Sequence, residues 1–130
     1  METFNCTIVG PSGSIYDAPI KSITLPGEEG EFTVLARHAS LLTLLTYGII
    51  EVDDGQKKMS IVIDSGYAKV SENGIDVLVE GAVAIEGSNE NEISKALEDA
   101  KILLHDAGAS NMMMASVEAK IEASAKQHLA

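Results

Sequence analysis

The sequence predicts an α+β protein in two parts, an all-β flattened barrel or sandwich over residues 1–87 and an antiparallel helical hairpin over residues 88–130. In the first part, short apolar runs rich in Ile, Val and Thr recur about every eight to ten residues, which indicates about ten strands. After residue 87 the spacing of apolar residues changes from a strand period to a helix period. This change predicts the boundary between two domains.

Turn residues divide the first part into strands. Residues 26–27 (Pro-Gly) predict a tight turn. Residues 53–55 (Asp-Asp-Gly) and 72–74 (Glu-Asn-Gly) carry the Asp-Gly and Asn-Gly signals of β-hairpins. Gly81 separates an alternating strand from a last predicted strand over residues 82–86.

Two helices joined by a short turn are predicted in the second part. Asn89 followed by Glu92 is typical of a capped helix start, and Gly108 is typical of a helix end. Ser110 or Asn111 can cap the second helix. The predicted apolar faces are Ile93, Ala96, Leu97, Ala100, Leu103, Leu104 and Ala107 on the first helix, and Met114, Val117, Ile121, Ala125 and Leu129 on the second.

The hairpin is rich in alanine and poor in large side chains. Because buried apolar surface contributes about 25 cal/mol per Å², each alanine contact contributes little, and isolated helices of this length are marginal in water. Two outcomes are therefore open, a hairpin that docks loosely on the β domain and can detach, or a stably packed lid. Of the three consecutive methionines at residues 112–114, at least one is expected to be exposed.

Composition disfavours several classes of function. The formal net charge of −11 repels nucleic-acid phosphates and anionic lipid headgroups, so neither nucleic-acid binding nor direct membrane insertion is expected. No apolar run reaches about 18 residues, and the N-terminus lacks the pattern of a signal peptide. The single cysteine, Cys6, lies in an alternating strand, which predicts a buried thiol and a reducing compartment.

Residues able to carry catalysis do not converge in the sequence. The three histidines are scattered and show no metal-ligand spacing, so no metal or other cofactor is expected. Ser12 lies in a Gly-Pro-Ser-Gly-Ser turn rather than in a nucleophile elbow before a helix. Asp64 and Glu80 end alternating strands, which favours solvated carboxylates over an acid–base pair.

An acidic loop follows the predicted Pro-Gly turn, and the only arginine of the chain, Arg37, lies a few residues later. The loop contains Glu28, Glu29 and Glu31. It is either a solvated loop or a docking surface, and the acidity of the chain favours a basic partner.

One stretch contains several short motifs in a characteristic order. They are residues 26–27 (Pro-Gly), 30–32 (Gly-Glu-Phe), 34–35 (Val-Leu), 38–39 (His-Ala), 41–42 (Leu-Leu) and 48–50 (Gly-Ile-Ile), followed by 66–70 (Gly-Tyr-Ala-Lys-Val) and 77–79 (Val-Leu-Val). In this order, with a helical hairpin behind them, the motifs resemble the epsilon subunit family of bacterial F-type ATP synthases. The resemblance covers nearly the whole chain.

This resemblance implies a non-catalytic subunit of the rotating central stalk, which couples ion-driven rotation of the c-ring, through the gamma subunit, to ATP synthesis. It implies gamma and the c-ring as partners, transient contact with the alpha and beta catalytic subunits, and a place at the cytoplasmic face of the bacterial cell membrane. It directs Glu28, Glu29 and Glu31 toward the c-ring, and Gly10, Arg37, His38 and Thr43 toward gamma.

The chain departs from the family pattern in the turn before the histidine. Ala36 and Arg37 stand where many members have Pro-Gly or a similar pair, and Ser40 stands where proline often follows His-Ala. The turn is therefore less constrained by its residue types, since proline fixes φ and glycine permits a positive φ. Arg37 is expected to add a charge-assisted contact with a partner carboxylate.

A second departure concerns the hairpin, which in some members binds ATP through an Ile/Leu-Asp-x-x-Arg-Ala motif. The matching positions here hold Glu92, Lys95 and Ala96. Because lysine lacks the planar donor fork of arginine, weak or absent ATP binding is expected. The family hairpin can also inhibit ATP hydrolysis, but residues 88–130 contain four Lys and seven Asp or Glu, so strong electrostatic capture is not expected.

Two other classes of protein fit parts of the sequence. A stand-alone β-sandwich binding module with a dimerising helical hairpin is the main alternative. Such modules usually bind through an aromatic platform, and two Phe, three Tyr and no Trp offer few residues for one. A small enzyme would need polar groups that converge in a pocket, and the sequence nominates none.

Overall fold

Ten β-strands and a helix form most of the computed structural model, which describes residues 2–37, 40–85, 89–110, 112, 114–117 and 119–120. The strand number agrees with the sequence prediction. The elements are β1 (Phe4–Gly10), β2 (Gly13–Ile20), β3 (Ser22–Gly27), β4 (Gly30–Leu35), β5 (Leu41–Leu45), β6 (Gly48–Asp53), β7 (Lys58–Ile63), β8 (Gly66–Ser71), β9 (Gly74–Val79), β10 (Ala82–Ile85) and α1 (Glu90–Asp106).

The strands form two five-stranded layers that share one corner. In the first sheet the order is β4-β3-β6-β7-β10, and in the second sheet it is β5-β8-β9-β1-β2. All pairs are antiparallel except β1 with β9. A single residue pair, Gly27 with Leu45, joins β3 to β5 at the corner. This arrangement is the flattened barrel or sandwich that the sequence predicts.

The main hydrophobic core lies between the two sheets. Alternate residues of each strand point inward, because successive side chains of a strand face opposite sides of the sheet. The largest fully buried side chains include Ile8 and Ile75 of the second sheet and Ile23, Ile50 and Ile61 of the first.

The turn after β3 falls two residues later than predicted. Pro26 and Gly27 belong to β3, and Glu28 and Glu29 make the turn, with Gly27 opposite Gly30. A Cβ on Gly27 would lie 2.8 Å from the Gly30 carbonyl oxygen, and Gly30 has a φ of 134°. Gly27 thus permits a close approach of two strands, and Gly30 supplies the positive φ.

Both predicted Asx-Gly hairpins also differ in detail. Between β6 and β7 the connection has four residues, and Asp54 Oδ1 accepts the N–H groups of Lys57 and Gln56, each at 2.8 Å. These bonds hold the pKa of the Asp54 carboxyl below its ordinary value. Between β8 and β9 the turn residues are 72–73, and Gly74 already pairs with Ser71.

Helix α1 begins and ends where its sequence predicts. The Asn89 side chain accepts the N–H of Glu92 at 3.0 Å. At the other end Gly108, with a φ of 89°, donates to the His105 carbonyl, and Ala109 donates to the Leu104 carbonyl. This pair of bonds is a Schellman motif, in which glycine relieves the steric cost of the left-handed residue.

The hairpin covers the outer face of the first sheet. Strands β6, β7 and β10 point Ile49, Val62 and Ile85 outward, and α1 buries Ala100 and Leu104 against them. The partly buried members of this second cluster include Ala96, Leu97 and Leu103, so the predicted stripe of α1 is confirmed.

A second helical segment, formed by residues 112, 114–117 and 119–120, follows the turn at Gly108. Val117 is buried in the second cluster, and Met114 packs against it. Met112 is 84% exposed, as expected for one of three consecutive methionines. The predicted face positions at 121, 125 and 129 lie outside the described residues, as do Asn111 and the end of the predicted last strand at residue 86.

Cys6 is fully buried in the main core, as predicted. Burial, followed by the nearby Asp76 and Asp17 carboxylates, raises the pKa of Cys6 from 9.0 to about 12. The folded protein therefore keeps the thiol neutral at pH values where the unfolded chain ionises it.

This difference predicts a loss of stability in alkaline solution. Between pH 9.0 and about 12 the unfolded chain loses the thiol proton and the folded protein keeps it, so the free energy of unfolding should fall by about 1.4 kcal/mol per pH unit from this group. Urea unfolding of the wild-type chain and of Cys6→Ala, measured across this range, isolates the contribution. Equal pH slopes for the two proteins would contradict it.

The N-cap of α1 gives a second prediction. Asn89→Ala removes the acceptor for the Glu92 N–H, so local unfolding of α1 should become about 1 kcal/mol easier, measured by amide hydrogen exchange. Asn91→Ala is the matched control, since Asn91 is an exposed asparagine inside the same helix. Equal exchange rates in the two variants would show that the cap does not hold the helix end.

Candidate docking surfaces

A row of exposed apolar side chains crosses the outer face of the second sheet. Leu44, Tyr67, Leu78 and Val9 are neighbours on β5, β8, β9 and β1, since Leu44 pairs with Tyr67, Tyr67 with Leu78, and Leu78 with Val9. Their side chains are between 37% and 58% exposed. With strands about 4.8 Å apart, this apolar row is about 14 Å long. Leu42, which is 70% exposed, extends it along β5.

Polar side chains border the apolar row. Lys69 and Asp76 are opposite one another on β8 and β9, and the Thr7 hydroxyl donates to Asp76 Oδ1 at 2.6 Å. An apolar centre with a polar border is the usual anatomy of a protein–protein interface. The second sheet therefore presents a face suited to a protein partner, whereas the hairpin covers the corresponding face of the first sheet.

The residues predicted to face gamma do not form one cluster, and they differ in their position relative to the apolar row. Gly10 ends β1 next to Val9, and Thr43 lies between Leu42 and Leu44 on β5. Arg37 lies before β5, at the opposite end of the second sheet from Gly10. His38 lies outside the described residues.

Sequence reasoning missed the apolar row itself. Tyr67 and Leu78 stand in the motifs at residues 66–70 and 77–79, but nothing in the sequence marks them or Val9 as neighbours on a surface. The available signal was an apolar residue at each outward position of several strands. Which of these positions become neighbours depends on the strand order, which the alternation of a single strand does not contain.

Arg37 has the only positive φ among the described non-glycine residues, at 64°. Its guanidinium lies 3.0 Å from a Glu2 carboxylate oxygen, and the two side chains are 84% and 56% exposed. Arg37 stands where many family members have the glycine of Pro-Gly, and glycine adopts a left-handed conformation more readily than arginine does. The residue types Ala36-Arg37 are therefore less suited to this turn than Pro-Gly, as expected. The ion pair is well solvated and contributes little to stability.

The three predicted acidic residues lie together at the other end of β5. Glu28 and Glu29 form the β3–β4 turn, and Glu31 is the second residue of β4. All three are exposed, and we call them the acidic turn. The Glu28 N–H donates to the Leu44 carbonyl at 3.1 Å, which attaches the acidic turn to one end of the apolar row.

An open cleft of about 470 Å³ lies where the acidic turn meets the apolar row. Leu44, Tyr67 and Leu78 form its apolar wall, and Glu28 and Glu80 carry carboxylates at its rim. The hairpin reaches the same turn from the other side, since Lys120 Nζ lies 2.7 Å from Glu31 Oε2.

Asp64 has a structural role, contrary to the expectation of a solvated carboxylate. Its Oδ1 accepts the N–H of Gly81 at 2.7 Å and is half buried. A Cβ on Gly81 would lie 2.6 Å from Asp64 Oδ2 and 2.8 Å from a Leu103 methyl group. Asp64 thus fixes the β9–β10 turn beneath α1, while Glu80 remains exposed as expected.

The positions that match the family's ATP motif lie in the first turns of α1. Glu92 and Lys95 are exposed, and Ala96 is half buried against the second cluster. Within the described parts of the chain, no group of three or more His, Cys, Asp or Glu residues is arranged to hold a metal ion. Among the same residues, no helix has the length and hydropathy needed to span a membrane.

Comparison with known proteins identifies the family. Residues 3–85 match the family described as ATP synthase, Delta/Epsilon chain, beta-sandwich domain. The chain is 52% identical to the ATP synthase epsilon chain of a Nitratiruptor species, with 97% of this chain and 98% of the relative covered. The chain belongs to the ATP synthase epsilon chain family. The epsilon chain of Sulfurimonas denitrificans is 45% identical, with 99% and 100% covered.

Solved structures of ATP synthases are similar to this epsilon-family chain. A chain of the Euglena gracilis mitochondrial ATP synthase, in a structure of OSCP, F1 and the c-ring, has a TM-score of 0.61 and 27% identity over 96% of this chain and 80% of that one. A chain from the central stalk and c-ring of the Tetrahymena thermophila enzyme shares the fold, with a TM-score of 0.56 and 15% identity over 82% and 96% of the two chains.

These findings confirm the predicted resemblance and the two-part fold. They also confirm the predicted role of the epsilon-family chain as a non-catalytic rotor subunit. The binding-module and small-enzyme alternatives are thereby set aside. As part of ATP synthase, the chain belongs to a membrane-associated complex.

The positive φ of Arg37 generates a testable prediction for this epsilon-family chain. Arg37→Gly should raise the free energy of unfolding by about 0.5–1 kcal/mol, because glycine adopts this conformation without the steric cost. Glu2→Gln is the control, since it removes the exposed ion pair and leaves the backbone unchanged. Destabilisation by Arg37→Gly in urea unfolding would show that the guanidinium contact outweighs the strain.

Proposed function

We propose that this chain joins the gamma subunit to the c-ring of ATP synthase, so that ion-driven rotation of the ring passes through its β-sandwich to gamma. The observation that carries the proposal is the position of the acidic turn at one end of an exposed apolar row. Two surfaces of different chemistry, held by one set of strands, suit two partners that must turn together.

Gamma is the proposed partner of the apolar row. Exposed apolar residues that lie side by side are uncommon on a soluble monomer, and they favour a protein contact whose centre excludes water. Gly10, Arg37, His38 and Thr43 are proposed to contact gamma around this centre. Gly10 and Arg37 lie at opposite ends of the second sheet, which supports a wide contact that resists tilting.

The acidic turn is the proposed contact with the c-ring. Glu28 and Glu29 present carboxylates on a two-residue turn, and Glu31 presents one from the adjoining start of β4, where all three can reach the polar loops of the ring. Opposite charge on those loops would guide and align the contact. Docking by the turn alone needs no insertion of this chain into the bilayer, and it agrees with a place at the cytoplasmic face of the bacterial membrane.

We further propose that residues 1–87 and 88–130 act as separate domains, and that the hairpin can leave the first sheet and meet the alpha and beta subunits transiently. Ala96, Ala100 and Ala109 bring little apolar surface to the second cluster, which supports a docking energy below that of a contact made by large side chains alone. Because the hairpin is acidic, we expect the alpha and beta subunits to bind it weakly and ATP hydrolysis to be inhibited only weakly. Lys95 stands where the family motif has arginine and lacks the planar donor fork, so we expect ATP binding to be weak or absent.

A substitution in the apolar row tests the gamma contact. Leu44→Asp should weaken binding to purified gamma by tenfold or more, because the centre of an interface tolerates a buried charge poorly. The matched control is Ile102→Asp on the outer face of α1, since Ile102 is 59% exposed and Leu44 is 58% exposed. Binding is measured by titration of labelled chain with gamma.

Equal affinities for Leu44→Asp and the wild-type chain would contradict the assignment of this face. A comparable loss in Ile102→Asp would instead point to a contact through α1. Thermal unfolding of both variants shows whether the fold is retained, and both positions are exposed enough for a carboxylate to remain solvated.

A further inference from the structure

One carboxylate of the acidic turn is held by the chain's own hairpin. Lys120 Nζ and Glu31 Oε2 lie 2.7 Å apart, and the two side chains are 43% and 52% exposed. Glu31 pairs with Pro26 next to the turn, whereas Lys120 lies in the second helical segment. The ion pair therefore connects the proposed ring-binding surface to the hairpin.

The position of Lys120 depends on how the hairpin is docked. Val117 lies three residues before Lys120, on the same side of a helix, and is buried in the second cluster with Ile49 and Leu104. Burial of Val117 directs Lys120 toward the end of the first sheet. Lys120 thus reaches Glu31 when the segment lies against the sheet, and it leaves Glu31 when the segment departs.

We propose that Glu31 is a shared anchor, which holds Lys120 while the hairpin is docked and holds a cationic group of the c-ring while the ring is bound. The inference rests on the proposed function, since it requires the ring to meet the acidic turn. Two cations at one carboxylate repel each other, so ring binding and hairpin docking oppose one another. Thermodynamic linkage requires the two equilibria to change by the same factor.

The size of this coupling follows from the exposure of the pair. A half-exposed ion pair changes an equilibrium by about 1.5- to 5-fold, and added salt reduces the effect. A shift of this size therefore changes the docked fraction measurably when the docked and free states are close in energy.

The test uses the full chain bound to gamma, titrated with detergent-solubilised c-ring. Lys120→Gln should bind the ring about 1.5- to 5-fold more tightly than wild type, and amides of residues 114–117 should exchange faster by a similar factor without the ring. Adding the ring to the wild-type complex should accelerate the same amides. Lys58→Gln, which changes an exposed lysine at the start of β7, is the matched control and should alter neither quantity.

Two variants of the acidic turn separate this inference from the proposed function. Glu29→Gln should weaken ring binding and leave exchange unchanged, whereas Glu31→Gln should alter both. If both variants weaken ring binding but Lys120→Gln changes nothing, the shared anchor is wrong and the ring contact stands. If neither variant changes ring affinity, the ring contact itself is wrong. Weaker ring binding by Lys120→Gln would show that hairpin docking favours ring binding instead of opposing it, and would also contradict the inference.

Discussion

The apolar outer face of the first sheet must be covered, and the helical hairpin covers it. Strands β6 and β7 are apolar on both sides, with Ile50 and Ile61 in the sandwich and Ile49 and Val62 outside it. Strands buried on both faces read as continuous apolar runs rather than as an alternation. The two outer faces of the sandwich are therefore unequal, because the chain covers one itself and leaves an apolar row exposed on the other.

This inequality allows a rigid sandwich and the proposed detachable hairpin to coexist in one small chain. The sandwich core is closed by residues of the two sheets alone, so the hairpin is not needed to fill it. Its own contact is a separate cluster, in which Ala96 and Ala100 pack beside leucines, Met114 and Val117. Removing the hairpin would expose Ile49, Val62 and Ile85 without opening the main core.

Local signals were predictable from the sequence, and signals that depend on neighbouring strands were not. Asn89 and Gly108 bound α1 as predicted, because capping involves groups only a few residues apart. The β3–β4 turn was misplaced because Gly27 serves a close approach and Gly30 the positive φ. Both residues are glycine in the sequence, and only the paired strands distinguish the two roles.

The candidate surfaces divide in the same way. The acidic turn was predictable because its three carboxylates are adjacent in the chain. The apolar row was not, since Val9 and Leu78 become neighbours only through the parallel β1–β9 pair. Asp64 was misjudged for a similar reason, as its partner Gly81 follows two intervening strands.

The backbone at the corner of the sandwich supplies the stiffness that a rotor subunit requires. Two main-chain hydrogen bonds link the acidic turn to β5, from the Glu28 N–H to the Leu44 carbonyl and from the Thr46 N–H to the Pro26 carbonyl at 2.9 Å. Together they make the pairing of Gly27 with Leu45. A tangential load on the turn therefore passes into β5 through backbone rather than through flexible side chains. Since β5 also carries Leu44 of the apolar row, one strand connects the two proposed contacts over a short path. A surface loop without these links would bend before it moved gamma.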